Sequence, residues 1–389
     1  MLPKSWRIET FGQLLEDGVL SGIQDGNHGA IHPKASDYVP SGIPFVMARD
    51  LLNGTINYSG CSFIPNTLAK RLRIGHSRPG DVLISHKGTI GSVALVPDDF
   101  AEIMLTPQVT YYRVNEGSSL DRMFLFSYLR SHLFQSTFAA LAQQSTRDYI
   151  GITEQKKLSL SIPPLPEQKK IADILSTWDA AIETTAKLLA NAESQKRALM
   201  QQLLTGKRRL KGFERKWKTV RLDEICDPKQ WPTISKAEQT ESGYPVFGAN
   251  GQIGFYDQYN HEHETIVVTC RGATCGTVNM TPPRTYITGN AMSLDDVSSA
   301  ANVSFLFQLL AARGFNDIIS GSAQPQIIGK DIKAVTINLP ALEEQKALAE
   351  MFEAWDKSVQ NTGSQLDALK QEKSSLMQQL LTGKRRVKL

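Results

Sequence analysis

The stretch LMQQLLTGKRR occupies Leu199–Arg209 and recurs, identical at all eleven positions, at Leu376–Arg386. Working outward from it, residues 162–209 align with residues 339–386 at a constant offset of 177 with no gap and 22 identities in 48. LPEQKKIADILSTWD in the first copy answers LEEQKALAEMFEAWD in the second. A duplicated element of this length governs how the rest of the chain is organised.

The element is predicted to be a helix. Each copy starts after prolines, Pro163, Pro164 and Pro166 in one and Pro340 in the other. Each ends at Thr-Gly-Lys-Arg-Arg, where Gly206 or Gly383 suits the left-handed position after a last turn and the basic residues face the carbonyl end of the dipole. Ile171, Leu175, Trp178, Ile182, Thr185, Leu189, Ala192, Lys196, Leu199 and Leu203 follow steps of four and three. Leu348, Phe352, Trp355, Val359, Thr362, Leu366, Leu369, Lys373, Leu376 and Leu380 repeat the series. That is a heptad seam, and at roughly 1.5 Å per residue it runs ~57 Å, too long for an ordinary globular helix. The two copies are expected to pair antiparallel over about 167–205 and 344–382, with Trp178 and Trp355 buried between them.

The remaining sequence reads as two globular domains, dense in short apolar runs broken by Gly, Pro, Asn and Asp. ISHKGTIGSV (Ile84–Val93) echoes VTCRGATCGTV (Val268–Val278) with one inserted residue. FLFSYL at Phe124 echoes FLFQLL at Phe305, and Trp6 before Leu14 is matched by Trp217 before Ile225. The expected fold class is α+β: two β-rich domains, 1–161 and 211–338, alternating with two long helices, 162–210 and 339–389, that form an antiparallel coiled coil.

Composition places the 389 residues among ordinary soluble proteins, with 41% hydrophobic and 21% charged residues. The opening MLPKSWRIETFGQLLEDG is too polar for a signal sequence, no apolar run reaches the roughly 20 residues of a membrane span, and four cysteines are too few for a disulfide framework. The expectation is a cytoplasmic protein with no membrane partner. Net charge is +4 overall, divided as +1 over 1–161, +6 over 162–218, −4 over 219–338 and +1 over 339–389. A free-standing nucleic-acid binder usually carries a larger basic excess, because phosphate contacts supply most of its affinity.

Catalytic signatures are missing. Neither IPPL at Ile162 nor TPPR at Thr281 is the Asn/Asp-Pro-Pro-aromatic motif of an amino-methyltransferase, and TGKRR lacks the flanking residues of a phosphate-binding loop. No Gly-x-Ser-x-Gly elbow occurs. His261, His263, Cys270 and Cys275 fall within fifteen residues, but a C-x4-C spacing departs from structural zinc sites, and strand-and-turn packing explains the segment as well. The chain reads as non-catalytic and metal-free.

In its layout, and in DGNHG at Asp25, GDVLISHKGTIG at Gly80, IPPLPEQKKIADIL at Ile162 and LPALEEQKALAEMF at Leu339, the chain resembles the specificity subunit of type I restriction-modification enzymes. The resemblance covers essentially the whole chain; ETIVVTCRGATCG in the second domain departs by lacking the initial Gly-Asp. It implies two target-recognition domains, each reading half of a bipartite duplex DNA target, with the coiled coil fixing the spacer. It implies two identical methyltransferase subunits as partners, which flip and N6-methylate an adenine using S-adenosylmethionine, and ATP-dependent restriction subunits, with Mg, where these exist. No cofactor is then expected in this chain. Identical partners would require identical surfaces, which accounts for the repeated helix ends, whereas two different half-sites require diverged domains. The partner-facing candidates are Leu199, Gln202, Leu203, Lys207 and Arg208, with Leu376, Gln379, Leu380, Lys384 and Arg385. Candidate DNA contacts are Lys87 and Arg271 in the matching glycine-flanked turns, with His28, Gln108, Arg147, Asn290, Gln324 and Gln326 in polar loops. For each, ordinary turn or surface duty competes with base readout, and the basic linker Lys207–Lys218 suits either a phosphate rail or a solvated connector. An autonomous DNA-binding regulator and a helical scaffold displaying protein-binding domains are the competing readings.

Overall fold

The computed structural model of the chain describes residues 2–97, 102–143, 149–249, 251–321 and 324–389. They form two compact units, Met1–Ala186 with Ser364–Leu389, and Lys187–Gly363. The long helices are Leu165–Leu204, here the central helix, and Leu342–Leu380, the C-terminal helix. Each is divided between the units, so neither unit is a domain with a helix merely appended.

The same strand connections build both units. In the first, an antiparallel sheet has the order Leu20–Asp25, Val109–Val114, Val82–Ser85, Val93–Leu95. In the second, Asp227–Gln230, Ala291–Asp295, Ile266–Thr269 and Val278–Met280 take the same places. Register matches as well: Val109 opposes Ser85 as Ala291 opposes Thr269, and Thr110 opposes Asp25 as Met292 opposes Gln230. A second sheet in each unit contains one parallel pair, Ile43–Val46 with Ile103–Leu105 and Tyr244–Gly248 with Tyr286–Ile287. A two-stranded ribbon precedes each long helix, Arg7–Thr10 with Ser159–Ile162 and Lys218–Arg221 with Thr336–Leu339. The faint sequence echo between the domains therefore reflects one topology.

Both long helices are built into the domain cores. In the first unit Ile171 and Leu175 of the central helix and Met377, Leu380 and Leu381 at the end of the C-terminal helix pack with Phe11, Tyr112, Phe124 and Phe138. In the second, Leu348 and Phe352 pack with Leu203, Leu204, Phe305 and Ile337. Complete burial of each such leucine contributes roughly 1.5–3 kcal/mol. Because a full seam residue needs cover on several sides, the driest seam positions are those capped by a domain.

Polar contacts set the pairing. Arg386 donates through Nε and Nη2 to the buried Glu167 carboxylate at 2.5 and 2.8 Å, and Arg209 donates likewise to Glu344 at 2.6 and 2.6 Å. Lys373 pairs with Asp179 at 2.5 Å, and Lys196 pairs with Asp356. In each unit the start of one helix thus meets the end of the other, and the segments run antiparallel. Beside each Glu, a fully buried Gln fastens helix to domain. Gln168 accepts from the Asp121 N–H at 2.8 Å and donates to the carbonyls of Ser119 and Pro163; Gln345 accepts from Asn302 at 2.8 Å and donates to Ala300 and Pro340. Asp121 and Asn302 cap the helices Arg122–Leu129 and Val303–Arg313, so the Gln joins two helix starts.

The helix ends stop as the sequence indicates. Gly206 and Gly383 have φ of 70° and 71°, and the N–H of Arg208 or Arg385 reaches back to the carbonyl of Gln202 or Gln379 at 3.1 Å. Every position of both predicted seams is buried or partly buried. Trp178 and Trp355 correct the expectation of substantial burial, since both are only partly covered. Trp178 lines an open groove of about 930 Å³ with Lys170, Ile174, Leu376, Gln379 and Arg385; a single partner helix is too narrow to enclose an indole. Leu203 and Leu380, at 3% and 2% exposure, correct the partner-facing assignment, because they fill domain cores. Among the described residues no helix is long and apolar enough to cross a membrane.

Lys373 is the costly member of its cluster. Burial and the Arg130 guanidinium lower its pKa, while Asp179, which also accepts from Arg130 at 2.9 and 3.2 Å, holds the charge in place. Lys373→Met should be neutral or stabilising, whereas Asp179→Asn, leaving two cations facing each other, should cost roughly 1–3 kcal/mol in urea unfolding. The depressed folded-state pKa means that, between it and the unfolded value, the unfolded chain holds more protons, so stability rises with pH there; Lys373→Met should remove that rise. Leu203→Ala and Leu380→Ala should each cost about 2–5 kcal/mol, while exposed Gln202→Ala should change stability by less than ~0.5 kcal/mol. An unmoved unfolding midpoint for the leucine variants would contradict their place in the cores.

Candidate nucleic-acid interface

Antiparallel pairing brings three strand termini to one edge of the matched four-stranded sheet in each unit: the ends at Asp25 and Ser85 and the start at Val109, matched by Gln230, Thr269 and Ala291. Polar turns project from that edge. The His86 N–H donates to the Gln108 carbonyl at 2.9 Å, as the Cys270 N–H does to Asn290 at 3.1 Å. Lys87 and Arg271 follow directly, both exposed. Each then bridges to a further segment, Lys87 to Tyr149 and Arg271 to Gln326, closed by N–H donation from Ile150 to His86 and from Ile327 to Cys270, each at 3.0 Å.

The glycine turns keep this geometry despite the inserted residue. Gly88 and Gly91 have φ of 78° and 87°, Gly272 and Gly276 of 93° and 88°, and Gly91 and Gly276 each donate at 2.8 Å to the carbonyl of Ser85 or Thr269. A side chain at these φ values would be strained. Lacking the Gly-Asp of the first domain has not changed the second domain's turn at its base.

The sequence candidates therefore fall into matched places. Lys87 with Arg271 and Gln108 with Asn290 occupy equivalent positions, and Gln326 lies across from Arg271. Gln324 is exposed two residues earlier, and exposed His28 follows the strand ending at Asp25, its Nδ1–H donating to the Gly26 carbonyl at 3.0 Å. Arg147 lies outside the described residues. At the helix ends Gln202, Lys207 and Arg208 are exposed, as are Gln379, Lys384 and Arg385, while Leu199 and Leu376 are partly covered by their cores.

Sequence reading passed over Tyr149, whose ring lies 5.4 Å from that of the buried His86. Burial, with the Asp25 carboxylate adding to it, pushes its phenol up, so at neutral pH it is an uncharged donor. Its alignment with Gln326 depends on a bridge between residues far apart in sequence, which no local motif signals. His86 itself donates from Nδ1 to the Ile150 carbonyl at 3.0 Å, with Nε2 3.6 Å from Asp25. The second unit substitutes Cys270 and Gln230, joined by a 3.0 Å donation from Nε2 to Sγ. His261, from the histidine-cysteine stretch, pairs instead with Asp295 at 3.0 Å. Among the described residues no three His, Cys, Asp or Glu side chains converge on a metal-sized site.

Comparison with known proteins agrees with the paired architecture. The sequence model described as "Type I restriction modification DNA specificity domain" matches residues 20–194 and again 214–371. Over its whole length the chain is 25% identical to the putative type I restriction enzyme MjaX specificity subunit of Methanocaldococcus jannaschii, covering 95% of that protein. It is 27% identical to the EcoprrI specificity subunit of Escherichia coli over 71% of each chain. Among solved structures, the S subunit of a type I restriction-modification system from M. genitalium superposes with a TM-score of 0.62 at 18% identity, covering 96% of each chain. With two copies of the domain accounting for most of its length, the chain belongs to the type I restriction-modification DNA specificity family.

Proposed function

We propose that this chain reads a bipartite duplex DNA target, one half-site with the edge bearing Lys87 and Gln108 and the other with the edge bearing Arg271, Asn290 and Gln326. The observation that carries this is the pair of equivalent turns in domains whose sequences have otherwise diverged. A cation and a carboxamide stand at the same backbone positions in both, side chains suited to phosphates or base edges. His28 and Gln324 flank the edges, and Arg147 stays a candidate from its sequence alone.

The paired helices would fix the spacer between half-sites. The exposed sets Gln202, Lys207, Arg208 and Gln379, Lys384, Arg385 offer two equivalent patches for two identical methyltransferase subunits. Those partners would hold S-adenosylmethionine and flip the adenine, and restriction subunits would bring ATP and Mg; this chain would supply none of these cofactors. Partners closing around the duplex would add the phosphate contacts that a net charge of +4 leaves short. A cytoplasmic setting follows from that assignment.

Replacing residues 1–161 with the first domain of another specificity chain, in cells that also express the modification subunit, should rewrite one half of the N6-methyladenine motif and leave the other half and the spacer unchanged. A change in both halves would refute separate reading. Tight sequence-specific binding of DNA by the purified chain alone would favour an autonomous regulator, and indifference to DNA with the modification subunit present would favour a scaffold. Calorimetry on the isolated chain should detect no saturable binding of S-adenosylmethionine; saturable binding would overturn the non-catalytic assignment.

A further inference from the structure

Three exposed or partly exposed positions of each edge can be paired residue for residue. Two keep their chemistry: Lys87 and Arg271 are cations, Gln108 and Asn290 carboxamides. The third does not. Tyr149 and Gln326 stand at the same point, opposite the cation in a one-residue bridge and just before the N–H that closes it.

We propose that this third position is the base-discriminating one, Tyr149 for one half-site and Gln326 for the other, while the cation and carboxamide make contacts common to both. The inference rests on the bipartite reading above and adds the residues that distinguish the halves. Two readers on one scaffold meet the same phosphate geometry but different bases, so shared contacts favour retained chemistry and discriminating contacts favour changed chemistry.

Both side chains are presented on fixed backbone. Gln326 is exposed, and its backbone exchanges two hydrogen bonds with Ser320, each at 2.9 Å. Tyr149 is 41% exposed and rests on His86, which is fully buried and anchored to Ile150. The supporting residues change together with the reader: His86, near Asp25, lies against the aromatic ring, while Cys270, joined to Gln230, takes the equivalent backbone position beside the bridge to Gln326. Such preorganisation lowers the ordering cost of a base contact. A glutamine carboxamide matches the N7 and N6 pattern of adenine in the major groove, and an aromatic ring edge suits the thymine methyl.

The test maps N6-methyladenine motifs in cells expressing the full chain with its modification subunit. Gln326→Ala should relax one base pair of one half-site, with discrimination there falling about 10-fold or more, and Tyr149→Ala should do so in the other half-site. Tyr149→Phe, which keeps the ring, should preserve the wild-type preference; Tyr149→Gln should shift that base pair toward adenine on the contacted strand. Lys87→Ala should lower methylation at every site without altering the motif. Thermal unfolding of each purified variant identifies any that misfold, and the Phe and Gln variants then decide the outcome for Tyr149. An unchanged motif in folded Gln326→Ala and Tyr149→Gln would overturn the proposal, and so would a changed motif in Lys87→Ala. A wild-type chain that directs no two-part motif would instead refute the bipartite reading itself.

Discussion

A buried carboxylate at the start of each long helix must find a cation, and each finds it at the end of the other helix. Glu167 and Glu344 are each 1% exposed. Left alone, either would carry a desolvation penalty of several kcal/mol. The bidentate guanidinium of Arg386 or Arg209 meets that need, and the Trp6 indole adds a donation to Glu167 at 3.1 Å. Antiparallel order in each unit follows from this requirement. A parallel pairing would set Glu167 beside Glu344 and leave both arginines without an acid.

The identical eleven residues acquire a reason internal to the chain. Leu203 and Leu380 enter cores of the same topology, Gly206 and Gly383 turn the chain in the same way beneath Trp217 and Trp6, and Arg209 and Arg386 meet equivalent acids. A change in one residue would have to be matched in the domain that receives it. Exposed residues of the repeat, such as Gln202 and Gln379, carry no such constraint, and their identity is what a shared outside partner would explain. Domain edges obey a different rule: the hydrogen bonds at the base of the turns are retained while the side chains above them vary.

Much of this was legible in the sequence. The gapless repeat, the heptad steps and the Thr-Gly-Lys-Arg-Arg stop locate both helices to within a few residues, because helix periodicity and capping are local. The glycine turns were visible for the same reason, and with them Lys87 and Arg271. What escaped was non-local. Gln168 and Gln345 stand in a polar helix start that carries no local sign of burial, yet each bridges to a capping residue more than forty positions away. Their identity in both copies was the available signal. Tyr149 is brought to the edge by a single bridge to Lys87 across sixty residues of chain. Trp178 and Trp355 misled because a seam position does not by itself state how many neighbours cover it.

The claim that each helix end is held by the start of the other helix is tested most directly by double-mutant cycles in urea unfolding of the purified chain. Glu167→Gln with Arg386→Gln, and Glu344→Gln with Arg209→Gln, should each show a coupling energy clearly different from zero, since each pair shares two hydrogen bonds. Glu167→Gln with Arg209→Gln, and Glu344→Gln with Arg386→Gln, should be additive. Additivity in the first two cycles would mean that these acids and arginines do not meet, and would contradict the antiparallel account.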